Sequence, residues 1–168
     1  MKKLYLIRHA KSSWSEAGLS DFDRPLNNRG KRDAPFMGKL LKEKDVQADK
    51  IISSGAVRAY TTARTIAAEI NYPVEKIELA NEIYEASASE ILDVIQSVND
   101  DVNTLIVFGH NPGFTSLSNY LSDKQIDNMP TCGISCIEFN VNKWSDVNIN
   151  KGKLVAFEFP KKYLKQTD

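Results

Sequence analysis

Histidine and cysteine are scarce in this chain of 168 residues, which contains two of each. Cys132 and Cys136 lie in a stretch with strand character and share one strand face. They are therefore expected to be small buried side chains rather than a disulfide or half of a metal site. With so few candidate ligands, the sequence does not predict a zinc site, and no metal or other cofactor is expected.

The chain also lacks net charge and long hydrophobic runs. Lys and Arg together number 22, as do Asp and Glu, so no overall field favours nucleic acid or an anionic membrane. Any anion site must therefore be a local cluster of positive charge. The apolar run that follows Lys3 ends at Ile7, too short for a signal peptide, and no later segment is long enough to span a bilayer. The expected location is the cytoplasm, with no nucleic-acid or membrane partner.

Two segments share one layout, an apolar strand that leads to a histidine. Residues 4–7 precede Arg8 and His9, and residues 105–108 are followed, after a glycine, by His110. Short apolar runs predict buried strands, whose carboxyl ends open onto the crevice where α/β sheets bind ligands. Neighbouring strands would bring the two histidines together, where each could move a proton or attack near neutral pH.

An arginine at an expected helix start is a further sign of an anion site. Residues 50–53 predict a short strand, residues 53–55 a turn, and Arg58 falls in the first turn of the helix that follows. A positive side chain opposes the helix dipole there unless an anion lies in front of the helix. Together with Arg8, whose guanidinium also matches phosphate or carboxylate, Arg58 predicts anion binding.

Strand and helix patterns alternate along the chain, which predicts an α/β protein. We expect a three-layer α/β/α sandwich with a mixed, mostly parallel central sheet, in a single domain spanning residues 1–168. The last two strands, over residues 134–141 and 153–159, are expected to be antiparallel neighbours. Residues 10–28 predict a long polar loop, and Trp14, Phe22 and Leu26 are expected to pin that loop to the body of the protein.

Several of these segments resemble the histidine phosphatase superfamily. Arg8-His9-Ala10 resembles its Arg-His-Gly signature with Ala10 in place of glycine, residues 53–63 are similar to its second-arginine motif, and residues 108–111 to its second-histidine motif. Further features are similar to the SixA-type branch, the phosphohistidine phosphatases: Asp23-Arg24-Pro25-Leu26, Arg29-Gly30 and Asn111-Pro112-Gly113. The resemblance covers nearly the whole chain and implies the phosphoglycerate mutase-like fold.

The resemblance implies a phosphoryl-transfer site that needs no metal. The family's nucleophile maps onto His9, which would attack in line and become a phosphohistidine, after which water would release phosphate. For this step His9 must be neutral, with its other ring nitrogen donating to a carbonyl group. Arg8 and Arg58 would bind the phosphoryl oxygens, and His110 would donate to them as the charge shifts.

Two further positions are carried over from the family less directly. Glu82 stands where relatives have the carboxylate that protonates the leaving group, but Ala86 replaces the glycine usually found four residues later. Glu85 is an alternative proton donor. Ser15 lies where relatives often carry an asparagine that contacts the phosphate.

The resulting expectation is a phosphatase whose substrate is a phosphorylated protein carrying phosphohistidine. The alternatives are a phosphatase of small phosphate esters and a catalytically silent phosphate-binding module. A sugar-phosphate mutase is disfavoured, because mutase relatives carry longer insertions that close over the substrate. The short middle section of this chain favours an open site that a protein-borne phosphate could enter.

Overall fold

The computed structural model describes residues 1–165, which form a six-stranded sheet with helices on both faces. The strands are β1 Lys2–Arg8, β2 Lys50–Ser53, β3 Glu78–Leu79, β4 Thr104–Gly109, β5 Ile134–Phe139 and β6 Gly152–Glu158. The helices are α1 Asn28–Glu43, α2 Val57–Glu69, α3 Ala88–Gln96 and α4 Gly113–Leu121. Within these described residues, no helix has both the length and the apolar character that crossing a membrane requires.

The strand order in the sheet is β3-β2-β4-β1-β5-β6. The pairs β2–β3, β2–β4 and β1–β4 are parallel, whereas β1–β5 and β5–β6 are antiparallel. The prediction of a mixed, mostly parallel sheet is therefore confirmed, as is the antiparallel pairing of the last two strands. The predicted strand boundaries differ slightly, because β5 ends at Phe139 and β6 begins at Gly152.

The alternation of side chains along β1 divides the core between the two faces of the sheet. Leu4 and Leu6 pack in one cluster with residues of α3 and α4, such as Ile91 and Leu117. Tyr5 and Ile7 face the other way and pack with residues of α1 and α2, such as Met37 and Ile66. Since apolar side chains cover both faces of the sheet, the predicted three-layer α/β/α arrangement is confirmed.

The pairing of β1 with β4 places the ends of these strands side by side. Arg8 is the partner of Gly109 in the parallel register, and the backbone N–H of His9 donates to the Gly109 carbonyl at 3.0 Å. His9 and His110 therefore leave the sheet as neighbours, as the sequence predicted.

The loop between β1 and α1 is held through its two ends. Ser12 pairs with Leu26 in an isolated bridge, and the Leu26 side chain is buried. The prediction that Leu26 pins this loop is confirmed, whereas the same prediction for Trp14 is wrong, because the Trp14 side chain is 76% exposed. Its ring lies instead against the guanidinium of Arg24, 3.4 Å from the ring centroid, where a cation can approach the aromatic face.

Helix α1 reaches the same region because Gly30 permits a close approach. A β-carbon at position 30 would lie 2.2 Å from the Lys11 carbonyl oxygen, so any larger residue would push the helix away from the loop. The Asn27 side chain caps this helix by accepting from the Gly30 N–H at 2.9 Å. Cys132 and Cys136 are buried in the core beneath α1 and α2, as predicted. The prediction that they share a strand face is wrong, because Cys132 lies in the turn before β5 with a φ of 59°.

Candidate active site

Arg8, His9, Arg58 and His110 lie around one cavity of about 240 Å³ at the carboxyl end of β1 and β4. We refer to it as the histidine cavity. Its wall is completed by Lys11, Ser12, Trp14, Arg24, Asn111 and Thr131. The local cluster of positive charge that an anion site requires in a chain without net charge is therefore present beside both histidines.

His9 is buried, and its Nδ1 lies 2.7 Å from the carbonyl oxygen of Ala10. Because a carbonyl can only accept, Nδ1 carries the ring proton and Nε2 keeps its lone pair. Burial lowers the pKa of His9 to about 3, and although the bond to Ala10 acts in the opposite direction, His110 and Arg58 lower it further. His9 is therefore a neutral imidazole at pH 7, as a nitrogen nucleophile must be.

Ala10 occupies the position that is glycine in the family signature, and the structure accommodates its methyl group. The residue is fully buried in the core with Leu26 and Ala34. Its N–H donates to Thr62 Oγ1 at 3.0 Å, and the Thr62 hydroxyl donates to the Arg58 carbonyl at 2.7 Å. This chain of hydrogen bonds fixes the segment that carries His9 against the helix that carries Arg58.

His110 packs near His9, with 5.2 Å between the ring centroids, and is oriented by Ser54. The Ser54 hydroxyl accepts from the Ala56 N–H at 3.2 Å and lies 2.8 Å from His110 Nε2, so its own proton is available to that nitrogen. Nδ1, the other ring nitrogen of His110, is buried without a hydrogen-bond partner among residues 1–165. Burial, followed by Arg58, lowers the pKa of His110 to about 4.

Arg58 projects from the first turn of α2 and binds Asp21, a residue of the loop between β1 and α1. One terminal nitrogen donates to the Asp21 carbonyl at 2.6 Å and the other to Asp21 Oδ2 at 2.9 Å. Tyr84 donates to the same carboxylate oxygen at 2.6 Å, and Arg24 donates to Oδ1 at 3.1 Å. Tyr84 also packs edge-on against the His110 ring.

These contacts keep Asp21 ionised. The hydrogen bond from Tyr84, followed by those from Arg58 and Arg24, holds the pKa of Asp21 well below its usual range, although burial acts in the opposite direction. The same bond raises the pKa of Tyr84 to about 12. Asp21 is thus a carboxylate at any pH near neutrality, and it acts as an acceptor rather than as a proton donor.

Arg8 lies between the histidine cavity and the segment that precedes β5. Its Nη1 donates to the Met129 carbonyl at 2.9 Å, whereas its buried Nε has no hydrogen-bond partner in the described part of the chain. Burial lowers the pKa of Arg8, and the neighbouring charge of Arg58 lowers it further. A bound anion would offset this unfavourable effect on the charge of Arg8.

Glu82 and Ser15 lie elsewhere. Glu82 is exposed in the short helical turn Asn81–Ile83 and lines a different, acidic cavity with Glu78 and Glu90. Ile83 takes the inward position at this turn and is buried in the core. Glu82, the predicted proton donor, is therefore not among the residues that line the histidine cavity.

Ser15 is likewise exposed, and its hydroxyl forms a hydrogen bond of 2.7 Å with the hydroxyl of Ser13. Ser12 of the same loop lines the histidine cavity instead, where its hydroxyl accepts from Arg24 at 2.8 Å. Glu85, the alternative donor, is exposed and has a positive φ of 55°.

Ser54, Asp21 and Tyr84 contact the arginine and histidine side chains but are not singled out by the sequence as site residues. Ser54 lies inside the segment that resembles the second-arginine motif, which is the signal that could have identified it. Asp21 and Tyr84 are far apart in the chain and meet only in the folded protein, so their contact has no local sequence signal.

Comparison with known proteins agrees with this geometry. Residues 4–88 match the family model described as histidine phosphatase superfamily (branch 1). An uncharacterized protein of Mycobacterium tuberculosis is 32% identical over 167 residues, which cover 92% of this chain and 100% of that protein.

Solved structures share the fold. The structure of the protein histidine phosphatase SixA complexed with tungstate is similar with a TM-score of 0.82 and 21% identity, over 95% of this chain and 98% of that chain. A phosphoserine phosphatase mutant from Entamoeba histolytica is similar with a TM-score of 0.68 and 18% identity, over 98% and 100% of the two chains. At these sequence identities, the similarity to the solved structures concerns the fold alone. The match to the family model extends over half of the sequence. The chain therefore belongs to the histidine phosphatase superfamily (branch 1).

Proposed function

We propose that this protein is a metal-independent phosphatase of protein phosphohistidine, acting through a phosphohistidine intermediate on His9. The observation that carries the proposal is the state of His9, which is neutral and donates through Nδ1 to Ala10. Its Nε2 is thereby left as the nucleophilic atom beside Arg8 and Arg58. Action in the cytoplasm, as predicted from the sequence, is part of this proposal.

The reaction proceeds in two phosphoryl transfers. Nε2 of His9 bonds to the phosphorus of the donor, and the P–N bond of the donor breaks. The leaving ring takes that electron pair and departs as neutral imidazole when its other nitrogen is already protonated. Water then attacks the phosphorus on His9, the P–Nε2 bond breaks, and phosphate is released with His9 again neutral. Arg8 and Arg58 neutralise the phosphoryl oxygens, and His110 donates to them.

The position of the carboxyl groups favours a P–N bond over a phosphate ester. An alkyl ester expels a strongly basic alkoxide, and a positioned acid typically contributes about 10²–10⁴-fold to such a reaction. Asp21, which contacts Arg58, is held ionised, and Glu82 lines another cavity. Imidazole is a far weaker base than an alkoxide, so its departure depends less on such an acid.

Hydrolysis of small phosphate esters is the second candidate. The fold is shared with a phosphoserine phosphatase, so the same scaffold accommodates a protein named for an ester substrate. The two candidates differ in the relative kcat/KM for a phosphohistidine protein and for an alkyl phosphate.

A labelling experiment tests the proposal. The protein is mixed with radiolabelled phosphoramidate and quenched during turnover, and the label on the protein is tested for stability in acid and in alkali. We expect a label that is labile in acid and stable in alkali, and its absence from His9→Asn. Turnover by wild type with no such label, or a label that persists in His9→Asn, would remove His9 as the nucleophile.

Matched arginine variants control for the anion site. Arg58→Gln is expected to lose most of the turnover, whereas Arg64→Gln, on the exposed side of the same helix, is expected to keep it. A higher kcat/KM for an alkyl phosphate than for a phosphohistidine protein would favour the ester candidate.

A further inference from the structure

A second cavity of about 390 Å³ lies directly beside the histidine cavity. Arg8, Lys11 and Thr131 line both cavities, so the two spaces share a wall. The far side of the second cavity is formed by Arg29, Phe159 and Lys161, among others. We call this space the adjoining cavity, and the mechanism proposed above makes no use of it.

The adjoining cavity combines positive charge with apolar surface. Lys11, Arg29 and Lys161 contribute positive charge, in addition to Arg8 on the shared wall. The carboxylate of Asp33 also faces this space, but it is buried and paired with Arg32 at 3.0 Å and Arg29 at 4.0 Å. Its negative charge is therefore balanced within the protein.

The apolar part of the adjoining cavity comes from the segment after β6 and the segment before β5. Phe159, Pro160 and Pro130 supply it, next to the exposed side chain of Lys161. This lining is complementary to a carboxylate with an apolar group close to it. A free phosphate or a small phosphate ester needs only the histidine cavity.

We propose that the adjoining cavity binds the segment of the substrate protein that flanks its phosphohistidine, and that it selects a segment containing acidic residues. The proposal rests on the function proposed above, since it assumes a protein-borne phosphate in the histidine cavity. The shared wall of Arg8, Lys11 and Thr131 lets one extended chain occupy both spaces. Charge complementarity then supplies the preference for carboxylates.

Two phosphohistidine peptides and one small donor test this assignment. The peptides have the same length and differ only at the residues flanking the phosphohistidine, which are Glu and Asp in one and Gln and Asn in the other. Phosphoramidate provides the same kind of P–N bond without any flanking chain. For wild type we expect a kcat/KM about tenfold higher for the acidic peptide, expressed mainly in KM, because a few partly exposed ion pairs are formed.

Lys161→Glu is expected to abolish that preference while the hydrolysis of phosphoramidate stays within twofold of wild type. Lys151→Glu is the matched control, since Lys151 is an exposed lysine that precedes β6, at the end of this strand opposite to Lys161. This control is expected to keep the full preference for the acidic peptide. Because the two peptides are compared on the wild-type protein, this part of the test does not depend on the folding of any variant.

The outcomes separate the two proposals. Equal kcat/KM for the two peptides on wild type, with turnover of phosphoramidate intact, would overturn the role of the adjoining cavity and leave the proposed function standing. An equal loss for all three donors in Lys161→Glu would also overturn it. Absence of turnover with every donor on wild type, and of any acid-labile label, would overturn the proposed function and this inference together.

Discussion

Asp21 binds Arg58 through two different groups, its backbone carbonyl at 2.6 Å and its carboxylate at 2.9 Å. A residue of the loop between β1 and α1 thus sets the orientation of an arginine on α2. The Tyr84 hydroxyl holds the same carboxylate, and its ring packs against His110. Arg58 and His110 are therefore linked by one set of contacts that runs through Asp21.

Asp21→Asn is expected to lower kcat/KM for phosphoramidate about fivefold, because Arg58 keeps the backbone carbonyl but loses its partly exposed ion pair. Steady-state kinetics measures the effect. Asp23→Asn is the matched control, since this carboxylate in the same turn bonds to Ser20 instead. Tyr84→Phe should add little to Asp21→Asn, because both changes disturb one network. Independent, multiplicative effects would contradict the coupling.

Glu82→Gln is expected to change kcat/KM less than twofold, both for a phosphohistidine protein and for an alkyl phosphate. The reason is that Glu82 is exposed and lines the acidic cavity formed with Glu78 and Glu90 rather than the histidine cavity. Glu78→Gln, in the same cavity, serves as the comparison. A loss of about 10²-fold or more with the alkyl phosphate alone would identify Glu82 as the acid for ester cleavage.

The stability of the protein should fall in mild acid partly because of His110. Its pKa is lowered by burial from 6.5 to about 4, so its contribution is complete above pH 6.5 and is lost as the pH falls towards 4. Between pH 7.5 and pH 5 this group alone is expected to remove about 2 kcal/mol from the free energy of unfolding.

Urea unfolding at the two pH values checks this expectation about His110. In His110→Gln the difference between the two free energies of unfolding should shrink by about the same amount, since glutamine does not titrate. Tyr120→Phe, a change at an exposed residue of α4, should leave the difference as it is in wild type. An unchanged difference in His110→Gln would show that His110 does not titrate as expected.

Trp14 should report anion binding through its fluorescence. It is exposed, stacks on Arg24 and lines the histidine cavity, whereas Trp144 is buried and donates to the Val102 carbonyl. An anion that draws Arg24 towards the cavity changes the surroundings of Trp14 and leaves those of Trp144 unaltered. Titration with vanadate is expected to give a saturable change in emission that is absent from Trp14→Phe. A change that survives in Trp14→Phe would place its source elsewhere.

The residues of the candidate site that can be predicted correctly are those marked by a local pattern in the sequence. His9 and His110 each follow an apolar run, and pairing of the two runs as neighbouring parallel strands is enough to place the rings side by side. Arg58 is marked by its unfavourable position in the first turn of α2.

The residues whose positions could not be predicted from the sequence depend on contacts between distant segments of the chain. Asp21 meets Tyr84 and Arg58 only because of the path that the loop between β1 and α1 takes in the folded protein. Trp14 has a large apolar side chain of the kind that is usually buried, but the guanidinium of Arg24 provides a contact for its ring at the surface. Glu82 satisfies a motif, yet its neighbour Ile83 takes the buried side of the turn.

The two histidines follow β1 and β4, the innermost strands of the sheet. The edge strands β3 and β6 can fray without separating the two histidines, because β2 and β5 lie between these edge strands and the β1–β4 pair. Backbone amides such as those of Leu6 and Val107 should then exchange with solvent hydrogen only when the whole sheet opens. Inactivation by heat should accordingly coincide with the loss of the entire fold, and destabilising changes far from the cavity would act by depleting the folded population.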